Sequence, residues 1–68
     1  MAPTLSDIPP DLRTPSAKSS FCSWLRSQPI PYNARRSLIY IWRQHTRRQF
    51  DHLDYIAAGL LPQTPPRP

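Results

Sequence analysis

Sixty-eight residues make at most one domain, and ten prolines against a single glycine confine its foldable part to the middle of the chain, since proline breaks helix interiors and most of these prolines lie near the ends. Nine Lys and Arg against four acids give a net charge of +5, with eight of the nine cations arginine, which favours an anionic partner because the planar guanidinium matches phosphate and carboxylate bidentately. So short a chain has little left for the supporting residues of a catalytic pocket, so it is expected to be a binding module and not an enzyme, with no cofactor and no small-molecule substrate.

The first residues, Met1 to Asp7, carry neither a basic nor an apolar leader pattern, and Cys22 is the only cysteine, which leaves no intramolecular disulfide and no thiolate cluster for zinc. A cytoplasmic, intracellular protein is the expectation. The longest apolar stretches, at 38–42 and 55–61, fall far short of the ~20 residues that span a bilayer, so no membrane partner is expected.

In chain order, Pro3, Pro9, Pro10 and Pro15 among Ser and Thr predict a disordered arm over 1–17, in which Ile8 and Leu12 are the two apolar anchors of a short docking segment. Ser19 or Ser20 is a candidate N-cap for a first helix from Phe21 to about Arg26 or Ser27, with Phe21, Trp24 and Leu25 on one side and Pro29 as its stop. The Pro29-Ile30-Pro31 run must be extended, with Ile30 tucked against the core. Asn33 is the expected cap of a second helix whose apolar stripe is Leu38, Ile41, Trp42 and His45, with Ala34 a turn earlier.

Beyond His45 the pattern fits either one long helix over 33–58 or a break at Thr46. Thr46-Arg47-Arg48-Gln49 has the spacing of a capping box and favours the break, with a third helix carrying Phe50, Leu53 and Ala57 inward. Gly59 then supplies a left-handed C-cap, and Pro62 to Pro68 an extended tail. The expected fold is all-α, a two- or three-helix domain over 18–61 between disordered Pro-rich tails at 1–17 and 62–68. Its core would hold Phe21, Trp24, Leu25, Ile30, Leu38, Ile41, Trp42, Leu53, Ile56 and Leu60, joined by Phe50 if the helix breaks. Such a core is thin enough that partner binding or self-association, as a homodimer, is a reasonable expectation.

The segment 33–50 holds Arg35, Arg36, Arg43, Arg47 and Arg48 and no acid. On a helical wheel Arg36, Arg43 and Arg47 form a stripe away from Leu38, Ile41 and Trp42, with Tyr40 interleaved, a sided cationic surface suited to phosphates and to stacking or hydrogen bonding by the tyrosine. Thr46-Arg47-Arg48-Gln49-Phe50-Asp51-His52-Leu53, followed by Ile56-Ala57-Ala58-Gly59-Leu60-Leu61-Pro62, resembles the recognition helix and wing start of phage excisionase-type helix-turn-helix regulators. It departs from them where Asp54 and Tyr55 lengthen the helix and where the preceding helix lacks the usual small-residue turn. The resemblance implies Arg47, Arg48 and His52 as groove-facing residues.

Other chemistry is disfavoured. His45 and His52 stand about 10 Å apart along a helix axis, too far to share one metal ion. Cys22 lies among Phe21 and Trp24, where a buried, inert thiol is expected, and Asp51 and Asp54 are better suited to a helix first turn than to acid–base pairing. Two classes of function remain. One is a nucleic-acid-binding accessory or regulator that grips phosphates through Arg35, Arg36, Tyr40, Arg43, Arg47, Arg48 and His52; the other is a protein-interaction module or inhibitor, of a kind a phage or mobile element would encode, that docks the same arginines on an acidic protein surface with Trp42, Tyr40 or Tyr55 as anchors.

Overall fold

Residues 2–60 are described by a computed structural model; the expected tail at 62–68 lies outside them. Among the described residues there are three α-helices, α1 (Lys18–Arg26), α2 (Tyr32–Thr46) and α3 (His52–Ala57), and no strand. The all-α expectation therefore holds.

Residues 2–17 of the arm differ from the expectation of disorder. Residues Leu5–Asp7, Pro10–Leu12 and Pro15–Ala17 each form one turn of 3-10 helix, and Ile8 between them is completely buried in the core, with Leu5 and Leu12 packed on its edge. The prolines assist this. Pro10 and Pro15 each open a turn, where a fixed φ is already suitable and the missing amide proton has no partner to lose. The first turn lies on α2, the second and third on α1.

α1 starts earlier than Ser19 or Ser20 would suggest. Its N-cap is Ala17, with no side-chain cap, because the Pro15–Ala17 turn runs straight into the helix and leaves the two serines in its first turn. α2 likewise starts after Pro31, not Asn33; proline's extended backbone ends the linker and Asn33 sits inside the first turn. α1 and α2 meet through rings. Phe21 stacks on Trp42 with centroids 5.0 Å apart and planes 9° apart, and Phe50 closes the cluster edge-on to Trp42 at 5.6 Å.

The break after α2 is present, with a different chemistry from the expected capping box. The Thr46 hydroxyl donates to the Trp42 carbonyl at 2.8 Å and accepts from the Arg48 amide at 3.2 Å, so Thr46 closes α2 and does not open α3. Arg47 follows at φ 61°, ψ 24° and donates its amide to the Arg43 carbonyl. A left-handed arginine costs on the order of 1 kcal/mol, and here it reverses the chain so that Phe50 enters the core. Asp51 is the cap of α3: its carboxylate accepts from the Asp54 amide at 3.0 Å and Asp54 returns the bond to the Asp51 amide at 2.9 Å. Both aspartates thus serve the first turn of a helix.

Leu53 and Ala57 do not face inward. Leu53 is 71% exposed, while Ala58 is buried and Tyr55 packs on the core, because α3 begins at His52 and not near Arg47, which turns its apolar face by several residues. Ile39 and Cys22 join the core as well, beside Phe21, Leu25, Leu38 and Trp42. Gly59 adopts φ 86°. Its amide bonds to the Ile56 carbonyl and that of Leu60 to Tyr55, both at 3.0 Å, which is the Schellman pair that ends a helix on a left-handed residue.

α3 is tied to α1 by an ion pair. Lys18 Nζ lies 2.6 Å from Asp54 Oδ2 and also donates to the Gln49 carbonyl at 3.2 Å. Burial opposes ionisation of Asp54, but the Lys18 hydrogen bond, the Asp51 amide and the Lys18 charge outweigh it and hold the carboxyl below its ordinary value. A carboxyl depressed in the folded state contributes stability that is fully present above the ordinary aspartate range near pH ~3.9 and is lost as pH falls through the lower folded value. Acidification from pH 6 to about pH 3 should therefore lower the urea midpoint. Asp54→Asn keeps the capping oxygen but not the charge, and should show a smaller drop over the same window; an identical drop in both proteins would remove Asp54 from the acid response.

Candidate functional site

Of the seven residues the sequence puts forward, Arg36, Tyr40, Arg43 and Arg47 share one surface, which Tyr32 extends. Tyr32, Arg36, Tyr40 and Arg43 follow one another along α2 at intervals of four, four and three, and Arg47 continues the line at the helix end. At 100° per residue the four helical positions span about a quarter of the circumference. Arg36, Tyr40 and Arg47 are exposed, whereas Arg43 is half-buried. Tyr32 and Tyr40 are 54% and 61% exposed, the most open aromatic rings among the described residues.

The stripe lies beside the core-facing side of α2; Arg36 and Tyr40 border one concavity together with Ala2 and Pro3, and two more lie along it. One runs between α2 and the end of α3, where Tyr32, Arg36, Tyr40 and Arg43 face Tyr55 and Leu60. The other, at the C-terminal end of α2, is lined by Arg43, Gln44, Arg47, Arg48 and Gln49, a wall of cations and amides without a carboxylate. Arg43 lines both, and its Nε is buried without a hydrogen-bond partner. Cations at this end of a helix also complement the partial negative charge of its free carbonyls.

Arg35 and Arg48 belong to the fold more than to this surface. Arg35 Nη2 donates to the Gln28 carbonyl at 2.8 Å and its Nε to Ile30 at 3.4 Å, while Arg48 Nη1 donates to the Pro15 carbonyl at 2.7 Å. Arg13 does the same for Ile8 at 2.7 Å. Proline-rich segments have no ladder to satisfy their carbonyls, and a guanidinium with five donors can reach across to them. Part of the arginine bias is therefore architectural. Sequence patterning placed Arg35 and Arg48 with the outward cations because a helical wheel records direction, not the carbonyls of a distant linker.

His52 is exposed at the first position of α3, and His45 is exposed on α2 instead of partly buried. With α3 beginning at His52, Arg47 and Arg48 precede it in the linker, so the recognition-helix alignment suggested by the excisionase-type likeness is not formed. Among the described residues no three His, Cys or Asp side chains cluster as metal ligands, and no helix is long and apolar enough to cross a membrane. Burial pushes the Cys22 thiol up to about 11, the Asp54 charge adding to the shift and Lys18 opposing it; its Sγ is 3.7 Å from the Asp54 carbonyl. Such a thiol stays protonated near neutral pH and is a poor nucleophile.

The residue that patterning missed is Tyr32; Tyr55 it offered only as a protein-docking anchor, not as a neighbour of the α2 cations. Tyr32 stood outside the helix as long as Asn33 was taken for its cap, although it lies four residues before Arg36 on the same period. Compared with protein-family models, curated proteins and solved structures, the chain has no significant match in any of the three.

Proposed function

We propose that this chain is a nucleic-acid-binding accessory or regulatory protein, a binding module and not an enzyme, that grips backbone phosphates with the Arg36, Arg43 and Arg47 face of α2. The observation that carries the reading is the segregation of charge. Three guanidiniums share one stripe, while the four aspartates lie elsewhere: Asp7 accepts from the Thr4 amide, Asp11 sits in the Pro10–Leu12 turn, and Asp51 and Asp54 cap α3, with Asp54 also paired to Lys18. A one-signed face raises the local concentration of a polyanion and releases its counterions on contact.

The test is a titration against labelled duplex and single-stranded oligonucleotides over a range of salt. Neutralising about three phosphates should give a slope of log K on log[salt] of about −2 to −3. Arg36→Ala/Arg43→Ala/Arg47→Ala should flatten that slope and weaken binding at low salt, with the helical circular-dichroism signal retained. Absence of binding at low salt, or a wild-type slope in the variant, would reject the reading. An acidic protein surface is the second candidate partner, favoured by the same tyrosines and arginines, which are the residue types most often found at the energetic centre of protein interfaces.

A further inference from the structure

The chain has three tyrosines, and all three line the groove between α2 and the end of α3, together with Arg36 and Arg43. They are far apart in sequence, at 32, 40 and 55, so only the fold brings them together. We propose that this groove binds an unpaired nucleic-acid strand, with bases stacked on Tyr32 and Tyr40 and phosphates held by Arg36, Arg43 and Arg47. The proposal rests on the nucleic-acid reading above and specifies the form of nucleic acid.

The order of side chains along α2 supports it. Tyr32, Arg36, Tyr40, Arg43 and Arg47 alternate ring, cation, ring, cation, cation, and the two rings are separated by about 12 Å along the helix axis. A strand with its bases unstacked offers a π face and a phosphate in alternation, which is the chemistry this stripe presents. Paired bases in a duplex turn only their edges to a groove, and edge recognition uses bidentate donors and acceptors such as Arg, Asn and Gln. A pair of half-exposed phenol rings has little to do against those edges.

Two further features make the groove a prepared surface. Tyr55 packs against the core ring of Phe50 with centroids 5.3 Å apart, so one wall is held by the aromatic cluster and not by a mobile side chain. Arg43 lines both this groove and the cationic cleft at the end of α2, so its charge serves a phosphate lying across the two. Ring faces alone would suit a protein loop equally well; the cations interleaved at every step, with no carboxylate among them, select a polyanionic chain.

The experiment compares four labelled 12-nucleotide probes by fluorescence anisotropy at one salt concentration: a single strand as DNA, the same strand as RNA, its duplex, and an abasic strand of equal charge. Both intact single strands should bind at least about tenfold more tightly than the duplex and the abasic strand. Tyr32→Ala and Tyr40→Ala, both at exposed positions, should each weaken single-strand binding by about tenfold while leaving the salt slope unchanged, and Tyr→Phe at either position should restore it. Equal affinity for the abasic strand or the duplex, or wild-type affinity in both alanine variants, overturns the stacking proposal. Salt-sensitive binding to the duplex alone, lost in the triple-arginine variant, overturns this proposal and leaves the broader reading standing. Failure to bind any of the four probes at low salt rejects both.

Discussion

Trp42→Ala should leave the chain largely unfolded at 25 °C. The indole is fully buried, stacks on Phe21, meets Phe50 edge-on and donates its Nε1 proton to the Leu12 carbonyl at 2.6 Å. It therefore joins α2 to α1, to the linker before α3 and to the N-terminal arm at once. Truncating a buried tryptophan costs about 3–5 kcal/mol, and a domain of this size holds no more than about that in total. Trp42→Phe should be milder, since it preserves a ring against Phe21 but abandons the Leu12 carbonyl, at a further cost of about 1–2 kcal/mol. Urea titrations followed by far-UV circular dichroism read both. A Trp42→Ala protein that unfolds at the wild-type midpoint would remove the indole from the centre of the fold.

The same substitution has a functional corollary. Arg36, Tyr40 and Arg43 share a face only because α2 is helical, and an isolated helix of this length is marginal in water without tertiary packing. An unfolded variant should keep a weak, salt-sensitive affinity for any polyanion, since its cations remain, but lose discrimination between an intact and an abasic strand. Charge is a property of the composition, whereas the groove is a property of the fold.

Where the sequence was informative, it was so through period and punctuation. Phe21, Leu25, Leu38 and Trp42 were identified as core because they recur at helical spacing, and Gly59 as a left-handed cap because it is the only glycine in the chain and lies just past Ala58. The break after His45 was readable too, but its mechanism was not: Thr46 has two local uses for its hydroxyl, closing α2 or capping α3, and only the position of Phe50 decides between them. That choice set the phase of α3, which is why Leu53 was placed inside and Ala58 was not. In the candidate site, the outward positions of Arg36, Tyr40 and Arg43 followed from the wheel. The groove did not, because Tyr55 comes to it from α3 and Leu60 from the turn that follows, and no local pattern encodes that approach.

Ile8→Ala is the sharpest test of the arm, because composition and structure give opposite expectations for it. A proline-rich segment rich in Ser and Thr has little apolar surface to set against the entropy of ordering, and on that basis alone the substitution would fall within the roughly 0.5 kcal/mol of a surface change. The structure puts Ile8 at zero exposure beside Phe21 and Trp42. Ordering is aided by the fixed φ of the neighbouring prolines, which have less freedom to lose, and by bonds the composition does not reveal: the Ile8 amide to the Leu5 carbonyl, the Leu12 amide to Pro9, and Arg13 Nε to the Ile8 carbonyl. Removing the side chain should then cost about 2–5 kcal/mol, with Ile8→Val costing about 0.5–1.5. Hydrogen exchange gives a second readout, since protection at the Ile8 and Leu12 amides should collapse in the alanine variant before the helices lose theirs. Wild-type stability in Ile8→Ala, together with unprotected arm amides in the parent protein, would return residues 2–17 to a disordered arm and leave the Leu12 carbonyl without its place beside the Trp42 indole.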